Sequence, residues 1–512
     1  MEHIELLYVT LTIVFLSIPY QIYRAKSTQR NLPPTPFPCL PLLGHLHLLR
    51  PRAHRTLHEL SQKYGPVFSF KFGSEWAVIV SSSSAAEECF TKNDVVLANR
   101  PIGSSTLARN LEYINTAVTT APYGDHWRNL RRICATDIFA PHRLNVFLGV
   151  RQDEVLRLLR KLEWQWTRAD PRRELGVVKV QLKPLLTDLT FNVIMRMIAG
   201  KRYYGDDEVM NKEEAREFKG IIDDIFHYSG VGNKVEFLPL LKWIVGRKFE
   251  KKVKALAERT ERFLVGLIEE HRKNKEEAVP KTMIDHLLAL QETQPEYYND
   301  TIIKGLVLIL LLAGTDTSAV TLEWAMANLV NHPEILEKAK KELDDQIGED
   351  RLINESDLPN LHYLQNIISE TLRLYPAAPL LIPHYSSDDC TIGSYRVPRH
   401  TMVIINAWAI HRDTAVWNDP EAFRPERFED KAAREGYKLV PFGHGRRACP
   451  GAGLAQRIVG LTLGSMIQCF EWKRVGEEMV DMDEGQGSTM PKAKPLEVMC
   501  KPRPIMDKVH AF

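Results

Sequence analysis

The sequence predicts a mainly α-helical body that carries small β-sheets. Apolar residues recur at helical spacing along most of the chain, strand-like alternation is confined to a few short runs, and no βα alternation of the doubly wound kind occurs. Composition agrees: 512 residues, 44% hydrophobic and 26% charged, make a folded chain and exclude a disordered tail, a collagen-like fibre or a polytopic membrane protein. The 67 basic and 65 acidic residues leave a net charge of +2, which excludes binding driven by phosphate neutralisation and hence a nucleic-acid partner. Seven widely spaced cysteines without a C-x-x-C exclude a zinc ribbon and a disulfide scaffold, and fit a reducing compartment.

At the amino end, Leu6 to Tyr23 holds no charged side chain. It is just long enough for a spanning helix, which needs about 20 apolar residues. Glu2 and Glu5 precede it and Arg24, Lys26 and Arg30 follow, so the positive-inside rule puts the body in the cytosol. A cleaved signal peptide would want a basic start and a small-residue cleavage site, and both are missing. Leu32 to Pro41 is dense in proline and reads as a stiff extended spacer. The expected division is an anchor over 1–24, a hinge over 25–45 and one body over 46–512.

Within the body, Val67 to Phe72 alternates, Gly73-Ser74 turns, and Trp76 to Val80 is apolar, which predicts a hairpin. Thr401 to Ile405 with Tyr395 to Val397 suggests a second small sheet. Lys251 to Arg272 has helical period, and the charge-rich Glu269 to Lys281 reads as a solvated loop. Asn299-Asp300-Thr301 offers an N-cap to a helix running from Ile302 to Leu329. Its apolar core, Leu306 to Ala313, is too short to span a bilayer. Inside it Ala313-Gly314-Thr315-Asp316-Thr317-Ser318 places a carboxylate and three hydroxyls where they must be satisfied or used. A Gly-Thr kink with a satisfied aspartate is the plain alternative.

The informative stretch is Phe442-Gly443-His444-Gly445-Arg446-Arg447-Ala448-Cys449-Pro450-Gly451. Glycines allow close approach of a ligand, and a helix beginning near Gly451 favours negative charge, which poises Cys449 as a thiolate. The arginines can hold carboxylates. Gly443-x-Gly445-x-x-Ala448 also matches a dinucleotide fingerprint in outline, but Pro450 interrupts the helix that should start there and no βαβ unit surrounds it.

Phe442, Gly445, Arg447, Cys449 and Gly451 form F-x-x-G-x-R-x-C-x-G, which resembles the haem-binding loop of cytochromes P450. The resemblance runs the length of the chain and is closest to the plant microsomal group, in the branch of isoflavone and flavonoid hydroxylases and lignan oxidases. It implies a helical prism around a buried haem b, with an N-terminal transmembrane helix. By that resemblance Cys449 is the axial iron ligand, Arg447 meets a haem propionate, and Phe442 packs beside the sulfur. Ala313 and Thr317, four residues apart, face the haem; Thr317 hydrogen-bonds the oxygen and Asp316 joins the proton relay. Glu370, Arg373 and Arg427 form a structural triad. Trp127, Arg131 and His384 reach the propionates. The variable pocket takes in Leu380, Leu381 and Met490.

The implied activity is monooxygenation: O2 is reduced with NADPH electrons and one oxygen atom enters a small apolar plant metabolite, favoured to be a phenolic such as a flavonoid or lignan. No flavin or NADPH segment is encoded, so the resemblance implies a membrane-bound NADPH–cytochrome reductase, docking near Arg128, Arg132 and Arg446, with cytochrome b5 as an optional further donor. The implied location is the endoplasmic reticulum membrane, single-pass. Oxidative ring closure such as methylenedioxy-bridge formation, and alkaloid or terpenoid oxidation, stay open for the same site. Hydroperoxide rearrangement belongs to relatives that lack the threonine found here as Thr317, and a non-enzymatic haem carrier is the remaining class.

Overall fold

The computed structural model describes residues 31–509, apart from 102–105, 112, 114–115, 169–175, 206–211, 229–236, 275–281 and 488. The expected anchor, Leu6 to Tyr23, lies outside the described residues. Helices α1 (Ala53–Tyr64), α2 (Asp125–Ile133), α3 (Leu148–Thr167), α4 (Leu182–Ala199), α5 (Pro239–Lys273), α6 (Asp300–Asn331), α7 (His362–Leu374) and α8 (Ala452–Cys469) build most of the body. Strands β1 (Val67–Phe72), β2 (Glu75–Val80), β4 (His384–Tyr385) and β7 (Met402–Ile405) form one sheet in the order β1-β2-β7-β4. β3 (Val178–Gln181), β9 (Glu497–Pro502) and β8 (Phe470–Lys473) form a second, and β5 (Cys390–Ile392) pairs with β6 (Tyr395–Val397). The fold is mainly helical with small sheets, as the sequence predicts.

Two local expectations are corrected. The run ending at Ile405 does not join Tyr395–Val397 in a second sheet. β7 lies parallel to β2, Ala77 opposite Met402, because its fully buried, near-continuous apolar residues suit a strand covered on both faces. Glu269 to Lys273 is not loop but the last turn and more of α5, where His271, Arg272 and Lys273 complement the negative helix end; residues 275–281 lie outside the described residues. The proline segment is tied to the first sheet: Ser69 N–H donates to the Pro34 carbonyl at 2.8 Å, and Gly44 bridges to Phe72.

α6 is the central wall. Asn299 Oδ1 caps it, accepting from Ile302 N–H at 3.1 Å. Its helical pattern is unbroken through Gly314. Gly314 is needed for packing, since a Cβ would fall 2.7 Å from Ile194 Cδ1 of α4. α6 is apolar enough to cross a membrane by length and composition, but it is mostly buried inside the body, as expected of a core helix.

Two ionic networks tie distant segments together. Glu370 and Arg373, both fully buried on α7, pair at 2.7 and 2.8 Å, and Arg427 Nε adds a contact to Glu370 at 3.1 Å. Glu484 accepts from His54 at 2.8 Å and from both forks of Arg55 at 3.0 and 2.8 Å, pinning the chain after α8 to α1. Burial pushes the Glu484 carboxyl up, but His54 and Arg55 outweigh it and hold it at about 2, against an ordinary 4.5. A lowered folded-state value contributes stability above the unfolded value, lost as pH falls toward the folded one. Urea denaturation should therefore show wild type more stable than Glu484→Gln above pH 4.5, the gap narrowing between 4.5 and about 2; a gap constant with pH would contradict this.

Candidate active site

The cysteine loop is shaped by its own backbone. Gly443 N–H donates to Val440 O at 3.0 Å, Ala448 N–H to Gly445 O at 3.2 Å, and Cys449 N–H to Phe442 O at 2.9 Å. Gly445 has a φ of +67°, and a Cβ there would meet Asp94 Oδ1 at 2.4 Å. That carboxylate accepts from Arg446 N–H at 3.0 Å and faces its guanidinium at 3.3 Å. Gly451 is less constrained: a Cβ would make only ordinary contacts, 3.7 Å to the Phe139 ring and 4.0 Å to Cys449 Sγ. The loop hangs from the α7 network through His411. His411 Nδ1–H donates to Arg373 O at 3.1 Å, and its Nε2 accepts from Val440 N–H at 2.8 Å. Burial, with Arg373 and Arg412 nearby, pulls His411 down to about 3, so it stays neutral and keeps the one tautomer that both bonds need.

Cys449 and the middle of α6 line one cavity of about 280 Å³. Ala313, Gly314, Thr317 and Ser318 face it from one side, and Phe442, Cys449 and Gly451 from the other. Although it lies in a buried helix, Ala313 is exposed to this space, as is Cys449. Thr317 Oγ1 donates to Ala313 O at 2.9 Å, and the Thr315 hydroxyl likewise to Leu311 O at 3.0 Å. Asp316 accepts from the Thr489 hydroxyl. The helix N-terminus and Arg131 act on Cys449 in the direction expected of a poised thiolate, but burial acts against them. Burial raises its thiol above the ordinary value, and the Gly451 and Ala452 amides and Arg131 only oppose that rise. A bound metal deprotonates a coordinating thiol outright.

Among the described residues the wall holds three guanidiniums, Arg100, Arg131 and Arg447, and no carboxylate. Arg447 donates to Ala98, Val118 and Ala121 carbonyls, Arg131 to Ala448 O at 2.6 Å, and Arg100 to Ile382, Pro383 and Thr119 carbonyls at 2.7, 2.9 and 3.1 Å. Burial, with mutual repulsion, pulls Arg100 down to about 9 and Arg447 to about 10. Arg100 is buried and Arg131 and Arg447 are half-buried, and such cations without acidic partners around an apolar cavity favour an anionic ligand. Among the described residues no group of three His, Cys, Asp or Glu side chains could hold a metal by itself, so a metal at Cys449 must bring its other ligands. A haem, an apolar macrocycle with two carboxylates, fits both facts.

Sequence reasoning missed Arg100, whose sole signal is a lone charge before Pro101. Trp127 Nε1–H donates to Val118 O at 2.9 Å, and its ring lies 4.5 Å from the Arg447 guanidinium. His384 lines the cavity with Nδ1–H on Leu97 O at 2.8 Å; burial, Arg100 and Arg447 hold it at about 3. Of the three apolar pocket candidates only Leu381 reaches the cavity. Leu381 has a φ of +51°, which reverses the chain there, and Leu380 packs instead on the sheet. Met490 is buried between Ala377 O, which accepts its N–H at 3.1 Å, and Trp324 Nε1–H, which donates to its carbonyl at 2.7 Å.

Residues 33–499 match the sequence profile of the family described as Cytochrome P450. The chain is 54% identical to cytochrome P450 81Q32 of Catharanthus roseus, over 99% of both chains. It is 55% identical to an isoflavone 3'-hydroxylase of Medicago truncatula over 94% of both, and 51% identical to a (+)-piperitol/(+)-sesamin synthase of Sesamum radiatum over 99% and 98%. Replacing Arg100 by leucine should leave the far-ultraviolet circular dichroism unchanged. It should also weaken haem retention roughly 10- to 100-fold, the value of one hydrogen-bonded charge, measured by haem transfer to apomyoglobin. Unchanged retention would remove Arg100 from the binding set.

Proposed function

The chain belongs to the cytochrome P450 family and is a haem-thiolate monooxygenase of secondary metabolism; we propose that it hydroxylates a neutral, flat phenolic such as a flavonoid or lignan. The observation that carries this reading is the single cavity shared by Cys449 and Thr317, apolar on its substrate side and free of acids among the described residues. When bound, a thiolate-ligated haem supplies reductive activation of O2 and transfer of one oxygen atom to carbon. Cys449 provides the ligand, and Arg100, Arg131 and Arg447 hold the carboxylates. Val118, Ile309, Leu310, Leu381 and Ile382 bind the substrate and exclude water. With the cations committed, the described lining leaves no Asp, Glu, Lys or Arg for the substrate, which favours a neutral one. Thr317 Oγ1 holds a proton that it now directs to Ala313 O, and Asp316 resupplies it.

Similarity to isoflavone hydroxylases and to a sesamin synthase is nearly equal, so ring closure is the second reading. The two share the same site residues and differ in product. An NADPH-dependent reductase supplies the electrons, with cytochrome b5 as an optional donor. We place its dock beside Arg128, Arg132 and Arg446, of which Arg446 already faces Asp94 and Arg128 faces Asp125. The chain division proposed is an anchor over 1–24 in the endoplasmic reticulum membrane, a hinge over 25–45 and a cytosolic body.

The test is a panel of neutral phenolics, alkaloids and terpenoids added to microsomes that contain the protein and a reductase. Neutral phenolics should shift the iron from low to high spin and yield hydroxylated or bridged products; a shift and product only with amines would overturn the substrate class. Thr317→Ala should keep NADPH oxidation but lower product per NADPH by about 10²-fold, the loss of a positioned proton donor; full coupling would remove its role.

A further inference from the structure

Asp316 precedes the cavity-lining Thr317 on α6 but lies outside the cavity wall itself, and its setting is unusual for a carboxylate. Among the described residues its recorded hydrogen-bond partner is a neutral hydroxyl, Thr489 Oγ1, from the loop before β9. The ionisable groups that act on it electrostatically include Asp223, exposed on the helix Lys212–Tyr228, and Glu323, buried two turns further along α6. Both are acids, and like charges push a carboxylate away rather than fix it. Beside these two acids, Thr489 Oγ1 supplies the hydrogen bond that gives the carboxyl a set angle.

The loop that brings this hydroxyl is itself fixed by other contacts. Met490 N–H donates to Ala377 O at 3.1 Å, Trp324 Nε1–H donates to Met490 O at 2.7 Å, and Gly485 N–H donates to Pro491 O at 2.7 Å. Glu484 ties the loop's start to His54 and Arg55. None of these bonds uses the Thr489 side chain. We propose that Thr489 is a positioning residue for proton delivery, its hydroxyl holding the Asp316 carboxyl in the orientation from which it resupplies Thr317. This rests on the reading of Asp316 and Thr317 as the relay. A hydroxyl suits the task because it donates to an ionised carboxylate and accepts from a protonated one, so the grip persists while Asp316 gives up a proton and takes another from solvent.

The test uses the full-length holoenzyme with reductase and compares product per NADPH for wild type, Thr489→Ser, Thr489→Val, Asp316→Asn and the Thr489→Val/Asp316→Asn pair. Thr489→Val should lose about tenfold in coupling, less than the roughly 10²-fold of a deleted proton donor. Thr489→Ser should stay near wild type. The double variant should be no worse than Asp316→Asn alone, since both changes break one interaction. Hydrogen–deuterium exchange over residues 484–492 should be unchanged by Thr489→Val. Wild-type coupling in Thr489→Val, with Asp316→Asn impaired, would overturn the proposal and leave the relay standing. Faster exchange across the loop with additive losses would also overturn it, in favour of a structural role. Full coupling in Asp316→Asn would remove the relay itself, and the proposal with it.

Discussion

A thiol that must give up its proton inside an apolar cavity sets the terms for everything around it. Burial raises the Cys449 thiol, and the opposing help is modest: the Gly451 and Ala452 amides at the start of α8, and Arg131. On the proposed ligation, the anion would be made stable by the metal rather than by the loop beforehand. The loop's task is then geometric. It is held from below by a continuous strut, Val440 to His411 to Arg373 to Glu370, every member of which is buried. The strut works only with neutral His411, and the same burial that raises Cys449 keeps that imidazole uncharged.

The cavity's charges follow the same logic. Three guanidiniums without acids among the described residues are costly in isolation and favourable once two carboxylates arrive. Their backbone partners, the Ala98, Val118, Ala121 and Thr119 carbonyls, pre-orient them at small cost. α6 completes the enclosure. The Thr315 and Thr317 hydroxyls donate to carbonyls one turn back, so both are satisfied within the helix.

What was legible in the sequence was whatever is contiguous. Phe442 to Gly451 and Ala313 to Ser318 each place several groups within one loop or one helical turn, so spacing alone brings them together. The N-cap at Asn299 and the hairpin ending at Val80 are equally local. Illegible were the features made by long-range closure. β7 lies beside β2 across most of the chain, and Arg100 enters the cavity from a loop between short elements. Leu380 and Met490 look like pocket residues by type, but a left-handed residue at 381 and a backbone clamp on Met490 decide which way each faces. The balance of forces on the Cys449 thiol is not legible either, because a helix N-terminus is local and visible, whereas burial is global and is not.

Ligation of iron by the Cys449 sulfur is the claim most directly open to measurement. Purified wild type, reduced and exposed to carbon monoxide, should show the red-shifted absorption band from which the family takes its name, and Cys449→Ser, loaded with haem under the same conditions, should lack it. A serine variant that kept the band would contradict the account, because no other thiol could then be excluded as the ligand and the strut beneath the loop would have no cargo to position.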